Sequence, residues 1–177
     1  HLGCSYKSNA VLPTRVIDVG DRNSDFLRLY CSEKREKAEY IAFSHCWGGL
    51  EKEETEKFCT IRGNIGMRRQ EFSIDVLPQI FKDAVTITRA LGKRYLWIDS
   101  LCIIQDDKND WDIESKKMED VSSNAYCTIA ASSAANPKVG FLGRQPRKYV
   151  KVPKSLKDRS EPAKITFSRL SLQDTYG

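Results

Sequence analysis

Apolar positions along this chain fall into short runs with two different periods. Arg15–Val19 and Phe26–Cys31 are brief apolar segments separated by Asp21-Arg22-Asn23-Ser24, a pattern that predicts a β-hairpin. Glu33 to Glu39 is charged and reads as a loop. Tyr40–Ser44 (YIAFS) has the pattern of a buried strand, and the glycines of His45-Cys46-Trp47-Gly48-Gly49 break it. Glu51–Arg69 is polar, with scattered apolar residues and no clear period. Phe72–Leu77 fits a short strand or a loop. Leu77, Ile80, Ala84, Ile87 and Leu91 then recur at helical spacing, with Pro78 suited to the first turn and Gly92 to the stop. Arg94–Asp99 (RYLWID) is a further strand, followed by SLCIIQ. Asp106 to Asn109 is a loop, with Asn109 or Asp110 as the N-cap of a helix from roughly Trp111 to Asn124. Tyr126–Ala131 (YCTIAA) closes the series as a buried strand, ended by Ser132 to Pro137. Lys148–Val152 and Lys164–Ser168 are weaker patterns, strands or part of a tail.

Strands alternate with helices from 40 to 131. That order predicts an α/β fold with a mostly parallel central sheet, flanking helices and an N-terminal hairpin. Three segments follow: a lead-in over 1–39, a core over 40–145 and a basic extension over 146–177. Ligands of such sheets bind beyond the carboxyl ends of the strands. Here those ends carry Ser44-His45-Cys46-Trp47 and Asp99-Ser100.

Composition narrows the class. With 177 residues, 40% hydrophobic and 30% charged, the chain is long enough for a packed core without disulfides. No apolar run reaches the roughly 20 residues of a bilayer span, and the first ten residues lack a signal-peptide core, so a membrane partner is not expected. The six cysteines form no C-x-x-C pair and only two histidines accompany them, which argues against a structural zinc site. Cys46, Cys102 and Cys127 adjoin apolar runs, as buried reduced thiols do, and the expected location is the cytoplasm. Net charge is +5, but from Lys138 onward ten Lys/Arg face three Asp/Glu, a local excess of +7. That tail reads as a solvated segment. Without interleaved aromatics it makes a poor nucleic-acid platform.

One residue does not match its helix face. Trp111, Glu114, Met118, Val121 and Ala125 are spaced by three and four and share one stripe, while Lys116, Lys117, Glu119 and Asp120 lie elsewhere. A carboxylate on an apolar stripe needs a partner or a task. Glu114 is either a general base or charge stabiliser in a cleft, or an acid of the helix start that complements the dipole and caps an N–H. Asp99 and Ser100 either face a ligand or turn a loop. Trp47 either stacks on a flat ligand or packs. His45 and Cys46 are neighbours on a strand and point to opposite faces, against a Cys/His nucleophile pair. The chain has no P-loop, dinucleotide fingerprint or nucleophile elbow.

Three blocks, YIAFSHCWGG (40–49), LPQIFKDAVTITRALGKRYLWIDSLCIIQDD (77–107) and DWDIESKKMEDVSSNAYCTIAAS (110–132), resemble the heterokaryon incompatibility (HET) domain of filamentous fungi. Leu12-Pro13-Thr14-Arg15 resembles the family's lead-in and Gly140-Phe141-Leu142 its ending, so the likeness covers roughly 12–145. The resemblance implies a module of non-self recognition that triggers programmed cell death. It also implies a distant TIR-like, flavodoxin-like fold, with YIAFS as first strand and YLWIDS as a strand ending in serine. Asp110-Trp111-x-x-Glu114 is similar to the W-x-x-E signature of NAD-cleaving TIR enzymes. That likeness implies Glu114 as the catalytic carboxylate and, loosely, Ser100 and Trp111 as substrate contacts; Ser44, Trp47 and Asp99 join them as candidate contacts from their place at the strand ends. NAD is then a substrate and no bound cofactor or metal is implied. The segment 50–76 departs from the TIR pattern, lacking a clear second strand. Implied partners are further copies of the chain and an upstream incompatibility protein of the NLR type. The competing reading is a non-enzymatic self-assembling module.

Overall fold

The structure, a computed structural model, describes residues 10–45, 52–131 and 140–142; of 52–54, 150–153 and 162–165 it describes the backbone alone. The chain divides into two units, 1–142 and 143–177.

The first unit is built on a six-stranded sheet. The expected hairpin forms from β1 (Arg15–Asp18) and β2 (Phe26–Cys31), antiparallel with Arg15 opposite Cys31. YIAFS becomes β3 (Tyr40–His45). The stretch without a clear period folds into two short helices, α1 (Lys52–Phe58) and α2 (Ile65–Gln70). A two-residue strand, β4 (Phe72–Ser73), and a 3-10 turn (Ile74–Val76) lead into α3 (Gln79–Ala90). Pro78 precedes the first turn of α3, and Gly92 ends it at φ +66°, where a side chain would be strained. Then come β5 (Tyr95–Ile98), α4 (Asp99–Cys102), α5 (Lys108–Glu114), a 3-10 turn (Ser115–Lys117), α6 (Met118–Asn124) and β6 (Cys127–Ala131).

The strand order is β4-β2-β1-β5-β3-β6. β3 pairs in parallel with β5 and β6, whereas β1 pairs antiparallel with both β2 and β5, and β2 with β4. The sheet is therefore mixed, and the expectation of a mostly parallel one is corrected. The hairpin does not stand apart from the α/β core. It adds its first strand to the edge of β5 and extends the sheet antiparallel.

Both faces are covered. Phe43 meets Phe81 of α3 edge-on at 6.0 Å. Tyr40, three residues earlier and so on the opposite face, donates its hydroxyl to Val121 O of α6 at 2.7 Å. The core gathers Val16, Ile17, Ile41, Phe43, Leu96 and Ile98 between these layers.

The long second helix is corrected as well. Its cap is Asp107, whose carboxylate accepts from Asn109 N and Asp110 N, not Asn109 or Asp110. The 3-10 turn at Ser115–Lys117 resets the helical phase, so the five-residue stripe does not stay inward. Glu114 and Val121 are buried, but Trp111 is 49% and Met118 36% exposed. β6 is an edge strand with alternating half-buried and exposed residues rather than a fully buried one.

Residues 140–142 return to the core. Asp83, buried on α3, accepts Phe141 N at 2.6 Å and Leu142 N at 3.0 Å, and Phe141 stacks on Phe43 at 5.9 Å. A Cβ at Gly140 would run into Asp83 Oδ2 and Gln79 Cγ. Gly140→Ala is therefore expected to cost about 1–3 kcal/mol through overpacking, read as a lower urea midpoint. In the second unit, β7 (Val150–Pro153) and β8 (Pro162–Ile165) form an antiparallel ladder.

Candidate functional site

Two clusters of polar side chains lie in the first unit. The first sits where β3 and β5 end side by side. Phe43 faces Ile98 in register, and Asp99 then turns from β5 into α4 while Ser44 and His45 continue β3 opposite Ala130 and Ala131 of β6. Ser44 is exposed. Asp99 opens α4, accepts its neighbour's amide, Ser100 N, at 2.6 Å, and lies 3.7 Å from His45 Nδ1. The His45 ring is enclosed by Phe43, stacked at 5.6 Å, and Phe81, edge-on at 4.8 Å. Ser100 is 0% exposed and its hydroxyl has no hydrogen-bond partner. Trp47 and Cys46 lie outside the described residues.

Burial pushes the His45 imidazole below its ordinary value, against an upward pull from Asp99. The folded state thus holds its proton less tightly than the unfolded state does. Stability is expected to fall as pH drops below about 6.5, and His45→Gln to flatten that limb of a Tm-against-pH curve.

The second cluster surrounds Glu114, which is 8% exposed at the end of α5. Its Oε1 accepts from Thr14 Oγ1 at 2.9 Å and from Lys117 Nζ at 2.9 Å. Lys117 also reaches Thr14 Oγ1 at 3.2 Å, closing a triangle. Among the described residues nothing bonds Oε2. One step away, Arg15 Nη2 pairs with Asp110 Oδ2 at 2.5 Å and Arg15 Nε donates to Cys102 O at 2.6 Å, pinning α5 and α4 to β1. A cavity of ≈ 250 Å³ opens beside Thr14 and Lys117, bounded also by Leu12, Tyr40, Asp120 and Val121.

The site residues expected from sequence therefore do not form one constellation. Ser44, Asp99 and Ser100 come together. Glu114 bonds to Thr14 and Lys117 instead, and Trp111 stands half-exposed on the same helix. The buried Cys102 thiol lies between the clusters: burial pushes it up to about 12, and both Asp99 and Glu114 act on it.

Thr14, Arg15, Lys117 and Asp83 carry no site role in the sequence reading, although Thr14 and Arg15 belong to the Leu12-Pro13-Thr14-Arg15 lead-in. Asp83 had a further signal, since it shares the stripe of Ile80 and Ile87 as Glu114 shares its own. Among the described residues, no three metal-ligating side chains gather and no helix is long and apolar enough to cross a membrane.

A larger cavity, ≈ 430 Å³, lies at the hairpin end of the sheet between Gly20 and Gly92. Three of its cations are engaged: Arg89 with Val19 O, Lys93 with Glu39 and Arg94 with Asp18.

The family model described as "Heterokaryon incompatibility protein (HET)" matches residues 40–175. The chain belongs to the HET family. No curated protein and no solved structure gives a match. The match begins with β3, so the hairpin β1–β2, which supplies Thr14 and Arg15 to the Glu114 cluster, precedes the matched part of the HET domain.

Proposed function

We propose that this HET domain is the effector of fungal non-self recognition, triggering cell death by TIR-like cleavage of the nicotinamide–ribose bond of NAD, with Glu114 as the catalytic carboxylate. The observation that carries the reading is a carboxylate held at 8% exposure with Oε1 anchored by Thr14 and Lys117 and, among the described residues, no bond on Oε2. Departure of nicotinamide leaves an oxocarbenium-like carbon, and a fixed carboxylate in a poorly solvated site stabilises that charge as it develops. Water then adds to the ribose carbon, giving ADP-ribose, nicotinamide and a proton. The cavity beside Thr14 is lined by the two residues that hold Oε1, Thr14 and Lys117, and half-exposed Trp111, outside that lining, would stack on a ring brought to Glu114. Ser44, Asp99 and Ser100, at the strand ends, would contact the rest of the dinucleotide, with Trp47 as a further stacking partner. The test is NAD consumption by the purified chain and by Glu114→Gln.

A second reading is supported by the exposed apolar side chains of α5 and the first residue of α6. Trp111, Ile113 and Met118 are each more than a third exposed, and apolar surface gathered into a patch marks an interaction site. Self-association through this face would make the domain an assembly module acting with or without chemistry, engaged by an NLR-type partner in the cytoplasm. Trp111→Ser is expected to shift sedimentation toward monomer if the face associates, and to leave it unchanged if not.

A further inference from the structure

Arg68 lies in the last turn of α2 at 2% exposure, and its Nε and Nη1 have no hydrogen-bond partner among the described residues. No carboxylate pairs with it among the described ion pairs. The ring of Phe72 lies 4.9 Å from the guanidinium carbon, a cation–π contact that offsets only part of a buried charge. The nearest charge influence on it is Cys59. Burial pushes that thiol up to about 12, with Arg68 pulling it back, so at neutral pH Cys59 offers no anion. An uncompensated buried cation is strongly unfavourable, and such groups pair or bind ligands.

We propose that Arg68 is the anchor of a diphosphate-binding site beneath α2. Nε and Nη1 lie on different edges of the guanidinium plane. A single bidentate carboxylate serves one edge and leaves the other; two linked oxyanion groups serve both. The location also fits a ligand site. Asn64, at the start of α2, donates to Cys59 O at 2.9 Å, and the next residue, Thr60, donates its backbone N–H to Ser100 O at 3.0 Å. These bonds tie the start of α2 to the end of β5, the side of α/β sheets where ligands collect, and there the Ser100 hydroxyl is a second buried group without a partner among the described residues. In the present structure α2 covers the guanidinium. Binding requires this six-residue helix to shift, which is easy for a short surface element flanked by exposed Met67 and Arg69. The proposal does not depend on Glu114 or on any cleavage reaction.

The experiment is thermal unfolding of the whole chain with pyrophosphate, acetate or chloride at equal ionic strength. Pyrophosphate is expected to raise the Tm saturably by a few degrees, in the wild type and equally in Glu114→Ala, with acetate matching chloride. Arg68→Met is expected to lose the pyrophosphate rise and, in chloride, to unfold no lower than wild type, because a buried charge has been removed. Arg68→Lys should keep a weakened rise. A wild type with no saturable pyrophosphate effect overturns the site, even if Arg68→Met fails to fold. An equal response to acetate overturns the diphosphate assignment. An Arg68→Met that folds but unfolds lower in chloride and keeps the pyrophosphate response makes Arg68 a packing partner of Phe72.

Discussion

Arg15→Ala is expected to remove about 3–5 kcal/mol of folding stability, the loss typical of breaking one side of a buried ion pair. Arg15 is buried at the start of β1, and its guanidinium does two things at once. It pairs with Asp110 Oδ2 at 2.5 Å and donates to Cys102 O at 2.6 Å. The same Asp110 oxygen accepts Ile104 N at 2.8 Å, so the carboxylate left behind would stay in place without its counter-charge. Urea unfolding reads the loss directly. Asp110→Ala in the Arg15→Ala background should cost much less than in the wild type, because the pair acts as a unit. If Arg15→Ala costs under about 1 kcal/mol, in the range of exposed pairs, the pin between β1 and the α4–α5 segment carries little. The variant should also disturb Glu114, since Thr14, its hydrogen-bond donor, is the next residue along.

The same contacts explain what the sequence could and could not reveal. Strands and helices with a full period were legible: YIAF and YLWI are largely buried, and of the stripe from Leu77 to Leu91 the structure buries Leu77, Ile80 and Ala84, with Ile87 half-buried and Leu91 exposed past the helix end. The hairpin was legible too, but not its place in the sheet. Its pairing with β5 joins Ile17 to Leu96, and nothing local to either segment specifies that partner. Helices α1 and α2 were hidden because each is under two turns long and presents mostly polar residues. The helical spacing over 111–124 gives no sign of the 3-10 turn at Ser115–Lys117 that interrupts it, nor of the exposure of Trp111 and Met118. Glu114 stood out because a carboxylate interrupts an apolar stripe. Its partners did not: Thr14 is a hundred residues away, and Lys117 reads as an ordinary surface lysine. Arg68 looks like any charged residue of a polar stretch, and Arg15 like the polar edge of an apolar strand, until burial distinguishes them.

The second large effect concerns activity. Glu114→Gln keeps the shape and the acceptor that Thr14 uses, but removes the negative charge. The oxocarbenium-like centre would lose its stabilising partner. A fall of about 10²–10³ in turnover is expected, the scale of removing one electrostatic stabiliser from an active site. Folding should change little, because Lys117 is half-exposed and can be solvated without the carboxylate. Lys117→Met should lower turnover less, since the carboxylate remains and Thr14 still orients it.

The most direct measurement is NAD consumption by the purified chain at high concentration, with nicotinamide and ADP-ribose quantified and folded Glu114→Gln beside it. Equimolar release of the two products by the wild type, with the variant slower by about 10²–10³, is the predicted result. No NAD loss by the wild type even when clustered on a surface, or equal rates for the two proteins, would contradict it and leave Glu114 as the residue that ties Thr14 and Lys117 to α5.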